Sequence, residues 1–281
     1  MNLIKSFFIF VSPLVLLFIV IQAIGGLYYS SNTVLYFGLL FSAVPLLLFL
    51  IYVLIFKNIA RTSIHLPIVS VPSFLGYCLV LYVFIKASKI EYIDAMVYSL
   101  MAFFITFLYV YWYSNNARKL SQKLNNTELL ANFELKDLEG KKVSSENFFG
   151  EKVLIFFFRG NWCPLCMAQI NEVANSYQKF EDNSIRVVFI SPQPSHKTES
   201  LAKRFNLAFE FYIDESNAAA KQLGIFHKNG LPMGLQALGY ETDTVYPTVI
   251  ALNTKSEIIY NNQTSNYRIR PEPDAFLALF I

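Results

Sequence analysis

The stretch VLIFFFRGNWCPLCMAQI, Val153 to Ile170, decides how this chain is read. It opens with a continuous apolar run, too short for a buried helix and rich in β-formers. Such runs mark a parallel strand covered on both faces. It closes on the start of helical spacing that continues through NEVANSYQKF, with Pro164 in the first turn, where a missing N–H is tolerated. Between strand and helix stand Cys163 and Cys166, at the edge where open α/β sheets place their sites.

A cysteine at a helix N-terminus feels the positive end of the helix dipole and unpaired backbone N–H groups, both of which favour thiolate. Arg159, four residues before Cys163, adds positive charge. The spacing lets a small disulfide ring close without moving the backbone. Cys163 is therefore expected to be the exposed attacker, and Cys166, one turn in, the shielded resolving thiol. A zinc site needs about four ligands, and the chain adds only His65, His196 and His227, far apart. Haem attachment needs a histidine after the second cysteine, and Met167 stands there. No metal or organic cofactor is expected; a pair of inert core cysteines is the bland alternative.

Around this centre the pattern is α/β. FELKDLEGKKVSS reads as a hairpin turning at Glu139-Gly140. Strands IRVVFIS and FEFYID alternate with helices HKTESLAKRF and SNAAAKQL. PTVIALN and SEIIYNN form a last hairpin, and PEPDAFLALF a closing helix. Alternation of this kind implies a sheet covered on two faces, here over residues 131–281. NNARKLSQKLNNTELLANF is a polar, helix-friendly connector, with the linker placed at 115–130. The segment from Ile225 to Val245 is longer than most connections in compact domains and reads as a lid over the dithiol. Ser191, Pro192 and Gln193 fall at the same sheet edge, either lining a substrate groove or forming a plain loop. Arg268 and Arg270 read as a solvated, salt-bridged face, with anion binding as the alternative. Sequons at Asn125 and Asn262 matter only in a secretory compartment.

The first 114 residues are of another kind. Four apolar runs, near Phe7–Ile24, Val34–Phe56, Leu66–Ile85 and Tyr92–Tyr113, approach or exceed the roughly 20 residues that cross a bilayer as a helix. Of the 281 residues, 54% are hydrophobic and 15% charged, which is too apolar for an ordinary soluble protein. Residues 1–124 carry eight Lys/Arg and two acids, and residues 125–281 carry fifteen and eighteen. The net charge of +3 averages two unlike halves and implies no nucleic-acid partner. The first run is too long for a signal peptide core and reads as a retained anchor. Lys5, Lys57, Arg61, Arg118, Lys119 and Lys123 fall on one side of the bilayer and only Lys86 and Lys89 on the other. That balance predicts a multi-pass membrane protein, in the inner membrane if the source is bacterial, with both termini and the α/β domain in the cytoplasm. Cys78 has no second thiol at membrane depth and reads as a packing residue. Glu91 and Asp94 sit at an edge, so the bundle reads as an anchor rather than a transporter.

At FFFRGNWCPLC the sequence resembles the thioredoxin-fold redoxins, most closely peroxiredoxin-like members of the alkyl hydroperoxide reductase/thiol-specific antioxidant superfamily that carry two motif cysteines. The resemblance covers roughly residues 130–281. It implies a thioredoxin fold behind a bundle of about four transmembrane helices, and it gives Trp162, Tyr246 and Pro247 places around the dithiol. VYPTVIALN looks like the segment in which a proline with a cis peptide bond faces the dithiol, which would be Pro247. Laid on the peroxiredoxin pattern Pro-x-x-x-Thr-x-x-Cys, the peroxide-reacting cysteine falls at Cys166, with Cys163 at the threonine and Arg159 at the proline. The family's arginine would fall near Tyr246-Pro247-Thr248, where none exists. Thioredoxins also hold an acid in the strand before the motif. VLIFFF has none, which leaves Asp214, Glu241 and Asp243 as candidate proton acceptors for Cys166.

These departures favour thiol–disulfide exchange, with a protein disulfide as substrate, an external thiol reductant and the bilayer as partner. A thiol peroxidase acting on hydroperoxides is the enzymatic rival. There Cys166 passes through a sulfenic acid that Cys163 resolves. A redox-responsive binding protein without turnover is the rival of another class.

Overall fold

The computed structural model describes residues 2–30, 32–205 and 207–280. The chain divides into two compact units, one of Phe7–Phe56 and Thr62–Asn116, the other of Met1–Ser6, Lys57–Arg61 and Ala117–Ile281.

The helical unit is built on α1 (Asn2–Tyr29), α2 (Thr33–Phe56), α3 (Pro67–Ala87) and α4 (Ile93–Phe107). A 3-10 turn at Ile90–Tyr92 precedes α4 and a π-helical turn at Leu108–Tyr113 prolongs it. The first three, and α4 taken with its flanking turns as Ile90–Tyr113, are long and apolar enough to cross a membrane. Their interior is thin: Leu39, Leu46, Val80 and Ala102 are buried, whereas Phe18, Phe41, Leu48, Phe74 and Phe104 stay exposed. Helices α2 and α3 approach closely, because a Cβ at Gly76 would lie 2.6 Å from the Gly38 carbonyl. Ser73 uses that approach to donate to the Ser42 carbonyl at 2.9 Å. Small residues at a crossing, with a hydroxyl bridging it, are how apolar helices associate without a hydrophobic driving force between them. Cys78, in α3, is partly buried.

The second unit is the α/β domain. Its elements are β1 (Glu134–Lys136), β2 (Lys142–Ser144), β3 (Lys152–Phe157), α5 (Pro164–Asn175), α6 (Tyr177–Asp182), β4 (Ile185–Ser191) and α7 (Ser195–Phe205). There follow β5 (Glu210–Ile213), α8 (Ala218–Gln222), β6 (Phe226–His227), β7 (Thr244–Val245), β8 (Thr248–Leu252), β9 (Ile258–Asn262) and α9 (Pro273–Leu277). The main sheet runs β2-β1-β5-β4-β3-β8-β9. Strand β3 is central, parallel to β4 and antiparallel to β8, and buried from Val153 onward. This mixed sheet, with the motif helix following its central parallel strand, is the thioredoxin-like fold.

The apolar run KVLIFF, both hairpins and α7 stand where the sequence places them. Three local expectations change. The single helix expected after Cys163 breaks at Ser176, whose φ of −100° is not helical, giving α5 and α6. The helix-friendly connector is not helical beyond a 3-10 turn at Gln122–Leu124, because Leu124 and Leu130 are drawn into the α/β core beside Phe133. The long insertion is closed at its base by β6 and β7, which pair Phe226 with Val245 and His227 with Thr244.

Candidate active site

The register of the sheet assembles the site. Phe157, at the end of β3, pairs with Ile190 on one side and Thr248 on the other. The turn after β3, the loop after β4 and the Tyr246-Pro247 entry to β8 therefore share one edge. Gly160 in that turn has φ +136°, and a Cβ there would lie 2.8 Å from the Trp162 ring, so the turn needs glycine.

Cys163 is the N-cap of α5 and accepts the Cys166 N–H at 3.4 Å. The two sulfurs lie 2.6 Å apart. Cys163 is 2% exposed and Cys166 0%, so the expected exposed attacker is itself covered, a correction to the sequence reading. The cover comes from segments remote in sequence, which local spacing does not reveal.

The residue that sequence reasoning missed is Arg270. It is 6% exposed rather than on a solvated face, and Arg268 is buried as well. One guanidinium nitrogen of Arg270, Nη2, lies 3.5 Å from Cys166 Sγ and 4.0 Å from Cys163 Sγ. The other, Nη1, donates to Gln169 Oε1 at 2.8 Å, and Nε donates to the Tyr267 carbonyl at 3.2 Å. Gln169 is one turn beyond Cys166 on α5, so the helix that presents the thiols also orients the arginine. The only sequence signal was a pair of arginines flagged for possible anion binding.

The two sulfurs are driven apart electrostatically. Burial pushes the Cys163 thiol well above its usual range, and the proton it shares with Cys166 adds to that. Burial also opposes charge on Cys166. There it is outweighed by the Cys163 hydrogen bond, the positive charge of Arg270 and the main-chain hydrogen bond from Arg159, which together bring Cys166 down to about 5. These shifts favour the charge on Cys166 and the proton on Cys163, the reverse of the roles expected from helix position alone.

The other expected residues group around this pair. Arg159 stacks on Trp162 at 4.6 Å, donates to the Gly230 carbonyl and receives the Thr244 hydroxyl on its own carbonyl at 3.0 Å. Tyr240 donates to Asn161, so the insertion grips the motif turn at several points. Gln193 accepts the Asn161 N–H at 2.8 Å and donates to Thr198 at 3.1 Å, which makes it a brace for the turn rather than a groove wall. Pro247 shares a small cavity with Cys166, but its peptide bond is trans, since no cis bond occurs among the described residues. Tyr246 is sandwiched by His227, at 4.1 Å between rings, and by Arg118 at 5.0 Å. Arg118 also donates to the Pro247 carbonyl at 3.3 Å and to Thr248 Oγ1 at 3.2 Å, fixing this corner. His227 stays neutral because burial, with Arg159 nearby, takes it down to about 3.

The candidate proton acceptors are occupied elsewhere or exposed. Asp214 receives the N–H groups of Ala219 and Ala220 at 2.8 and 2.9 Å, Asp243 receives that of Asn229 at 2.7 Å, and Glu241 faces solvent.

Known proteins resemble the segment that carries the dithiol. Residues 127–261 match the AhpC/TSA family. The chain is 33% identical over 133 residues to a chloroplastic peroxiredoxin Q of Sedum lineare, covering 47% of this chain and 66% of that one. It is 32% identical over 103 residues to peroxiredoxin Q of Populus jackii, covering 37% and 48%. It thus spans between about half and two thirds of these relatives' length. Among solved structures, reduced Prx3 of Vibrio vulnificus in complex with hydrogen peroxide aligns with a TM-score of 0.49 at 14% identity, over 56% of this chain and 99% of that one. Arg270 lies beyond the matched residues. The segment 127–261 that carries the dithiol is an AhpC/TSA family domain, a peroxiredoxin-like redoxin of thioredoxin fold.

Proposed function

We propose that this chain is a membrane-anchored thiol peroxidase in which Cys166 reacts with a hydroperoxide and Cys163 resolves the product. The observation that carries the reading is the guanidinium of Arg270 at 3.5 Å from Cys166 Sγ, with Cys163 Sγ 2.6 Å from that sulfur and 4.0 Å from the same nitrogen. An arginine there serves twice. It holds the sulfur as an anion, and it offers a hydrogen-bond donor to the oxygen that becomes the leaving group. Cys166 thiolate attacks the nearer peroxide oxygen, so that an S–O bond forms and the O–O bond breaks. The departing oxygen takes a proton and leaves as water or alcohol, and the sulfur is oxidised to a sulfenic acid. Cys163 then attacks that sulfur, an S–S bond forms, and the hydroxyl leaves as water with the Cys163 proton. An external dithiol reduces the resulting disulfide by exchange.

The cavity at Cys166, lined also by Phe156, Gln169, Pro247, Thr248 and Arg270, measures about 10 Å³. That is the scale of one water molecule, which weighs against bulky hydroperoxides. Exchange with a protein disulfide led by Cys163 needs an exposed sulfur, and 2% exposure weighs against it. The apolar belt left exposed on α1 to α4 supports the anchor, and the excess of Lys/Arg at one end of the spans supports a cytoplasmic redoxin domain. Stopped-flow mixing of the reduced chain with hydrogen peroxide tests the chemistry. Oxidation far faster than a free thiolate's is expected; a rate no faster than that would return the reading to disulfide exchange.

A further inference from the structure

The sequence gives Arg61 only the role of an orientation charge, yet it makes a dense set of contacts within the redoxin unit. Its guanidinium meets both carboxylate oxygens of Glu172, with Nη1 to Oε1 at 3.1 Å and a closer contact from Nη2 to Oε2. Its Nε donates to the Arg270 carbonyl at 3.0 Å and its Nη2 to the Pro271 carbonyl at 3.2 Å. Glu272 adds a looser ion pair at 3.6 Å.

The spacing along α5 ties these contacts to the chemistry. Cys163, Cys166, Gln169 and Glu172 follow one another at three-residue steps, so each is a neighbour of the next on the helix surface. Cys166 faces the Arg270 guanidinium and Gln169 orients it from the side. Glu172 holds Arg61, which in turn holds the Arg270 main chain. A side chain as long as arginine reaches a fixed point only if both its tip and its root are fixed. Gln169 fixes the tip. Arg61 donates to the carbonyl at its root. Arg270 belongs to a segment without regular secondary structure, so no ladder of backbone bonds does this instead.

We propose that Arg61 is a positioning residue for the dithiol: by gripping the main chain at Arg270 and Pro271 it fixes how closely that guanidinium faces Cys166. A planar fork that pairs with a carboxylate while donating to two carbonyls is something lysine does not reproduce. The inference rests on the reading of Cys166 as the reacting thiolate, and its test avoids peroxide so that the two fail separately.

The full chain in detergent, reduced, is alkylated with iodoacetamide between pH 4 and 9, and labelling of Cys166 is followed by peptide mass spectrometry. Arg270→Ala is expected to raise the pH midpoint most. Arg61→Lys keeps the charge but loses the fork, and should raise it by about one unit, roughly tenfold slower labelling at pH 4. Glu172→Gln should move it in the same direction by less. Circular dichroism and gel filtration confirm that each variant is folded, and where Arg61→Lys is not, Glu172→Gln decides. A wild-type midpoint in the folded Arg61 or Glu172 variant, with Arg270→Ala shifted, would overturn the role of Arg61 alone. An unshifted Arg270→Ala would overturn the site reading and this inference together.

Discussion

Two segments flank the dithiol, and they divide the work differently from what the family pattern implies. The Tyr246-Pro247-Thr248 corner occupies the place where the resemblance expects an arginine, yet it supplies a cavity wall and a stacked tyrosine. The cation comes instead from Arg270, on the irregular stretch after β9. What the chemistry requires is a guanidinium a few ångströms from the sulfur, and the fold meets that requirement from another direction. The corner keeps an arginine of its own, Arg118, but spends it on the Pro247 carbonyl and the Thr248 hydroxyl.

That contrast can be broken by substitution on either side. The largest effect belongs to the sulfur both segments serve: Cys166→Ser should abolish peroxide consumption, whereas Cys163→Ser should still consume one equivalent and accumulate a sulfenic acid that dimedone traps. Next comes the arginine. Arg270→Ala removes a charge-assisted hydrogen bond worth about 1.5–3 kcal/mol. It should therefore slow the peroxide reaction at neutral pH by roughly ten- to a hundredfold. On the opposite corner, Pro247→Ala alters only a cavity wall and should change the same rate by a few-fold at most. Tyr246→Phe keeps the ring that stacks between His227 and Arg118 and should leave the rate within about twofold of wild type, since it removes no group from the sulfurs. If the corner variants proved as damaging as Arg270→Ala, the division of roles would be wrong.

The pH dependence sharpens the comparison. A Cys166 held at about 5 is a thiolate throughout the neutral range, and its reactivity falls as pH drops through that value. The thiolate form also stabilises the fold, because its depressed pKa favours the native state above the ordinary thiol range; that contribution fades as pH falls through about 5. Thermal unfolding of wild type and Cys166→Ser should accordingly differ more at pH 8 than at pH 4.

Much of this architecture was legible in the sequence. The run VLIFFF announces a strand covered on both faces because nothing polar interrupts it, and the dithiol that follows is placed by the strand-to-helix turn alone. The four apolar helices were equally plain, since a span of about 20 such residues has few other uses. What escaped was tertiary. Arg270 meets Cys166 from 104 residues away along the chain, on a stretch whose path no periodicity announces. The burial of Cys163 likewise depends on tertiary packing, and the trans bond at Pro247 is the ordinary isomer of an X–Pro bond. Which sulfur carries the charge turns on the hydrogen bond between the two sulfurs, on the nearer approach of Arg270 to Cys166 and on the Arg159 main-chain hydrogen bond, none of which spacing along a helix encodes.

The claim beneath all of this is that Cys166, rather than Cys163, is the anion at neutral pH. Limiting iodoacetamide added to the fully reduced chain at pH 6, followed by peptide mapping, reads it directly. The label should fall on Cys166 with Cys163 nearly untouched; a label mainly on Cys163, or none on either, would contradict the account.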